Sequence, residues 1–204
     1  KALARVDEEN FSTEDSFWAL VAVLTVCIAV ANKKRRVLVG GALVEAILIA
    51  ETQKFVVSSR DIPRKLQACV AAGLDMVYDE VTSRRINDPS RDLPGDVQVI
   101  LESEPLLTVE VRGKGVSEEE LEQFVRSATE AGFRRVVLMV DAASHASLIS
   151  TELLTLRLER KYECIVKVNE SVSSFLRDVF VWSPLGTHSI LSSFPEAMYR
   201  RMIE

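Results

Sequence analysis

The chain has 204 residues, enough to bury one substantial core or two small ones, and its 48% hydrophobic and 27% charged residues suit a soluble globular protein. A formal net charge of −5 argues against a broadly basic nucleic-acid coat, while leaving room for a local basic cleft. Three cysteines (Cys27, Cys69 and Cys164) stand far apart in apolar runs, which reads as buried thiols in a reducing, cytoplasmic setting and not as disulfides or a zinc site. The opening lysine, where a methionine would start a complete chain, leads us to expect a piece of a longer protein.

Taken in order, residues 1–13 read as an irregular lead-in. Thr13 followed by Glu14 and Asp15 predicts a helix start, with acids against the positive end of the dipole. That helix runs to about Ala31 and includes the apolar stretch FWALVAVLTVCIAVA. As a helix the stretch is roughly 22 Å long, short for a hydrocarbon core of about 30 Å, so a helix buried on all sides is expected and no membrane partner. Asn32 to Arg36 is a basic linker, read as a solvated helix end in preference to a DNA contact. A second apolar helix follows over 37–52. Its isolated acid, Glu45, needs an exposed edge, a partner or a metal, since a lone buried carboxylate is expensive. FVVSS at 55–59 suggests a short strand, and Pro63 opens a third helix to about Val81 with Leu66, Val70, Leu74 and Val77 at helical spacing.

TSRRINDPSRDLPG, from Thr82 to Gly95, is the clearest loop, with Asp-Pro, Leu-Pro-Gly and three arginines. It delivers the chain into two alternating apolar runs joined by a polar turn, QVIL and LLTVEVR, a hairpin expected over 94–115. Ser117 and Glu120 then form a capping-box pattern for a helix whose apolar face is Leu121, Phe124, Val125 and Ala128, with Gly132 as its stop. RVVLMV at 135–140 is a continuous apolar strand of the kind buried in a sheet. A helix over 144–161, a strand over 164–168, and helices over 171–180 and 196–203 complete the chain. Strand, strand, helix, strand, helix, strand from 96 onward predicts an α/β fold with a mixed sheet. We expect a helical N-terminal portion, residues 1–81, packed on a core of residues 82–204.

The chemistry concentrates in the hairpin. Side chains two apart share a strand face, so Glu110, Arg112 and Lys114 line one face while Val109 and Val111 point to the other. A hairpin also brings Asp96 towards Glu110. Adjacent carboxylates repel unless a proton or cation intervenes, and hard oxygen ligands with open positions suit Mg2+, which keeps several waters and accepts phosphate oxygens. Such an ion can activate water and neutralise charge on a phosphodiester, and a cation on the same face can help.

An aspartate, a spacer and then Glu-x-(basic) on paired strands followed by a helix resembles the PD-(D/E)XK nuclease core. More narrowly, GDVQVI followed by LLTVEVRGKGVSEEELEQFVRSATEAGFRRVVLMV is similar to the catalytic part of the SacI-like type II restriction endonucleases, best over about 80–141. The resemblance implies a mixed-sheet, restriction-endonuclease-like α/β/α core and Mg2+-dependent cleavage of double-stranded DNA at a short recognition sequence. It places Asp96 and Glu110 as metal ligands and puts Arg112 where the family carries a catalytic lysine. Arginine stays protonated, so it can stabilise charge and cannot act as a base. Three readings stand for this departure: a working arginine variant, a relocated lysine at Lys114, or a core that keeps binding without catalysis.

On this reading Arg84, Arg85 and Arg91 hold phosphates or base edges, against the plainer alternative of a solvated loop. Gln123 is either a supporting polar residue in the helix after the motif or an ordinary exposed glutamine. His145 and His188 lack metal-ligand spacing and read as surface residues, and Trp18 and Trp182 as core. Cutting both strands calls for two active sites, hence a homodimer. The rival expectations are a catalytically degenerate module that binds DNA or a protein partner, and a nuclease of repair or defence that recognises DNA structure.

Overall fold

The computed structural model describes residues 44–58, 61–83, 94–140 and 151–203, all within one compact unit spanning residues 43–204. The expected apolar helix at 17–31, the linker at 32–36, Trp18, Cys27, His145 and the arginines at 84, 85 and 91 lie outside the described residues. Among the described residues two helices come first, α1 (Glu45–Val57) and α2 (Ile62–Leu74), then strands β1 (Val81–Ser83), β2 (Val97–Leu101) and β3 (Glu104–Arg112). There follow α3 (Glu118–Glu130), β4 (Arg135–Val140), α4 (Thr151–Tyr162), β5 (Ile165–Asn169), α5 (Val172–Trp182) and α6 (Thr187–Ile203). The five strands lie in chain order across one sheet, antiparallel from β1 to β3 and parallel from β3 to β5. The mixed-sheet α/β expectation is therefore met.

Alternation along the strands divides the core. Val97, Val99, Val109 and Val111 face a cluster built with α1, α2, α5 and α6, including Leu66, Val70, Phe175, Leu176 and Phe194. Val136, Leu138 and Val140 face the opposite cluster, with Leu121, Val125 and Ala128 of α3 and Leu154 and Leu158 of α4. Helices on both faces of the sheet make an α/β/α sandwich. Every residue of α2 from Lys65 to Leu74 is buried, so this helix is the centre of its layer.

Local signals account for the hairpin and its sequel. Glu102 and Ser103 both adopt positive φ (51° and 69°), the backbone that a two-residue hairpin loop requires. A register shift at Val99/Ile100 accommodates Pro105, which has no N–H for the ladder. The capping box forms as expected: Glu120 N–H donates to Ser117 Oγ and Ser117 N–H to Glu120 Oε2 (3.2 and 2.8 Å). Gly132 ends the turn after α3 at φ 92°.

Four expectations need correction. Phe55 to Val57 is the last turn of α1, not a strand; Val56 is fully buried, and the Phe55 carbonyl accepts from Lys65 Nζ (3.0 Å) and Ser58 Oγ (3.1 Å). Helix α2 stops at Leu74, where Asp75 and Met76 close tight turns, and Val81–Ser83 instead joins β2 as an edge strand. The final helix begins at Thr187, not at Glu196, and carries Pro195 inside it. Proline removes a helical hydrogen bond and crowds the preceding turn, yet burial of Ile190 and Phe194 holds this segment in helix. Trp182 is not in the core: at the end of α5 it is 78% exposed, and Val179 and Phe180 take the buried places.

Candidate active site

The hairpin ends in the polar cluster that its spacing predicts. Register pairs Thr108, Glu110 and Arg112 of β3 with Val136, Leu138 and Val140 of β4, so these three share the sheet face that carries α3 and α4. Val109 and Val111 point into the other core, as alternation requires. Glu110 and Arg112 meet directly: Arg112 Nη2 lies 2.5 Å from Glu110 Oε1, with the glutamate side chain 16% exposed and the arginine 42%. Lys114 falls beyond the end of β3, in a bend, and is exposed. It remains close enough, with Arg112, to favour the charged form of Glu120. The Glu120 carboxyl is held below its usual range first by the Ser117 N–H, with these two cations adding and partial desolvation opposing.

Asp96 sits just before β2, where the strand leaves the regular ladder. Its N–H donates to Val109 O (2.8 Å), and its Oδ2 accepts from the Val111 N–H (2.8 Å). That N–H belongs to the Glu110–Val111 peptide, so the Asp96 carboxylate is seated beside the backbone from which Glu110 projects. One end of the hairpin therefore gathers Asp96, Glu110 and Arg112.

The ground beneath Asp96 is tightly specified. Pro94 O accepts from both Gln98 Nε2 (2.9 Å) and Thr108 Oγ1 (2.7 Å). Gly95 takes φ 86°, and a Cβ there would stand 2.1 Å from Thr108 Oγ1 and 3.0 Å from Val109 O, so only glycine fits. From α2, Gln67 Nε2 donates to the Asp96 main-chain O (3.2 Å). Sequence reasoning missed Gln67, Gln98 and Thr108. The available signal was a polar side chain in an otherwise apolar stretch: Gln67 stands beside Leu66 in the helical stripe of α2.

The remaining predicted residues are elsewhere. Glu45 is half-buried in the first turn of α1, which packs on α2, α5 and α6. Gln123 is exposed on α3, away from the buried face of Leu121, Phe124 and Val125. His188 is exposed in the first turn of α6. Cys69 and Cys164 are buried free thiols, and burial pushes both upward from the ordinary thiol range. Among the described residues no three acidic, histidine or cysteine side chains converge, and no helix is long and apolar enough to cross a membrane.

A mixed sheet between two helical layers thus carries a carboxylate at the mouth of one hairpin strand and Glu-x-Arg on the next. The chain is 81% identical over 203 residues to the type II restriction enzyme SacI of Streptomyces achromogenes, a match covering 100% of the chain and 57% of that enzyme. No protein-family model matches it. The chain is thus similar to that enzyme over its whole length, and it spans a little over half the length of the curated relative.

Proposed function

We propose that this chain carries the catalytic core of a divalent-metal-dependent endonuclease that hydrolyses phosphodiester bonds of double-stranded DNA, in a type II restriction or related defence role. The observation that carries the reading is the seat of Asp96: its carboxylate is received by the N–H between Glu110 and Val111, which sets two carboxylates and a cation at one strand end. Similarity to a type II restriction enzyme supports the same substrate class. The resident ion on this reading is Mg2+, held by Asp96 and Glu110. Two carboxylates are a fitting donor set for an ion that keeps waters and takes substrate phosphate oxygens as further ligands. When bound, Mg2+ would supply polarisation of the attacking water and neutralisation of charge on the phosphate.

The chain's own groups do the rest. Arg112, ion-paired to Glu110 and partly exposed, holds a permanent positive charge at the place where phosphate charge develops, and takes no proton. Lys114 is the nearby ammonium able to stand in for the family's lysine. Arg84, Arg85 and Arg91 would contact the DNA. A homodimer would supply the two sites that cutting both strands requires, and the cytoplasm is the compartment in which a restriction enzyme meets incoming DNA.

Cleavage of supercoiled plasmid with Mg2+ tests this. Asp96→Ala and Glu110→Ala are each expected to lower the rate by at least about 100-fold, since both remove a direct ligand and outer-shell partners alone are worth 10–100-fold. Cleavage that survives both changes would overturn the site. Arg112→Ala and Lys114→Ala identify the working cation by which of them abolishes turnover. A native protein that binds DNA in a salt-sensitive manner, yet never cuts it, is the degenerate module instead.

A further inference from the structure

We infer that Gln67, on the buried helix α2, is a positioning residue for the Asp96 carboxylate and thereby sets the affinity of the site for its divalent cation; this rests on the reading of Asp96 as a metal ligand. Gln67 is 7% exposed and lies in a run of residues buried on all sides. A primary amide at such a place is unfavourable unless it is hydrogen-bonded, and an apolar residue of the same size would serve packing better. This amide instead reaches across to the main-chain carbonyl of the residue that bears the carboxylate, at 3.2 Å.

Asp96 then has its backbone held on two sides. Its N–H is bound by β3 through Val109 O, and its carbonyl by α2 through Gln67. Immediately upstream, Pro94 O is held by Gln98 and Thr108, the latter fully buried, and Gly95 has no room for a side chain. With the main chain fixed, the carboxylate is presented to β3, where Oδ2 accepts from the Val111 N–H. The sheet by itself cannot supply this, because regular pairing of β2 with β3 ends at Val97–Val109, one residue short of Asp96. Gln67 is thus a tie from the helical layer to the site carboxylate that stands off the ladder.

The test is divalent-ion binding, measured by titration calorimetry with Mn2+ and by the rise in Tm that the ion produces, without DNA or turnover. Gln67→Met keeps length and burial and removes the donor. It is expected to weaken ion binding by about 10-fold, in the range seen when partners of metal ligands are removed. Gln53→Met is the control. Gln53 of α1 accepts from the Ser173 N–H of α5 (3.1 Å), and its loss should lower Tm while leaving ion affinity at the native value. In an Asp96→Ala background, Gln67→Met should change ion binding no further while still lowering Tm. If the methionine variant does not fold, Gln67→Asn, whose amide is one methylene short, takes its place with the same expectation. Native affinity in the Gln67 variant, alongside loss in Asp96→Ala, overturns this inference and leaves the metal site standing. Native affinity in Asp96→Ala overturns the reading beneath it.

Discussion

Two neighbouring residues, Gly95 and Asp96, show how a single position can be fully constrained. At Gly95 the left-handed backbone and the space claimed by Thr108 and Val109 both demand the absence of a side chain. Gly95→Ala should therefore destabilise the fold by about 1–3 kcal/mol from backbone strain alone, with the steric clash adding to it. Thermal denaturation should show it as a lowered Tm, and an unchanged Tm would mean that the Pro94–Asp96 segment is not held as described. Sequence reasoning placed Asp96 and Glu110 correctly in the hairpin, because alternation and turn spacing are properties of neighbours. It did not identify Gln67 or Thr108, since each acquires its meaning from a partner far along the chain: Gln67 from Asp96, and Thr108 from Pro94.

At the scale of elements, α3 is the best determined by its own residues. Ser117 and Glu120 close both halves of the capping box, and three acids crowd the first turn. Ser117→Ala should cost about 1 kcal/mol, read as a shift in the denaturant midpoint at constant slope. The same cap predicts an acid response. The folded-state value of Glu120 is lowered, so its stabilisation is fully present above the unfolded carboxyl value of about 4.3 and is lost as pH falls through the lowered value. Between pH 7 and 3 the wild type should lose more stability than Glu120→Gln; equal losses would show that the cap contributes nothing to the acid response. Elements with weaker local signals were misread. The β-branched Val56 and Val57 suggest strand, and the last helix is expected only from Glu196, yet Val56 and Pro195 both lie within helices because burial of Val56 and of Phe194 outweighs propensity.

For the whole molecule, the C-terminal helix is tied back to the helical layer and the sheet edge by Arg201. Its guanidinium grips Asp75 at the end of α2 through Nη2 and Nε (2.6 and 2.9 Å) and donates to Val81 O of β1 (2.8 Å). Arg201→Met would leave the Asp75 carboxylate, largely buried, without that partner, and should destabilise by about 3 kcal/mol. Urea denaturation checks this, and a loss below about 1 kcal/mol would place the pair among solvated surface contacts.

By itself the sequence determined the hairpin, the capped helix and apolar strand after it, and the aspartate and Glu-x-Arg that the hairpin carries. Each follows from periodicity, turn residues or caps within a few positions of one another. Only the tertiary structure decided that α2 is buried throughout from Lys65 to Leu74, that Val81–Ser83 is an edge strand, that Trp182 faces solvent, and that Gln67 supports the Asp96 backbone. Those outcomes depend on which surfaces meet when the helical layers close on the sheet, and residues 29 positions apart carry no local sign of meeting.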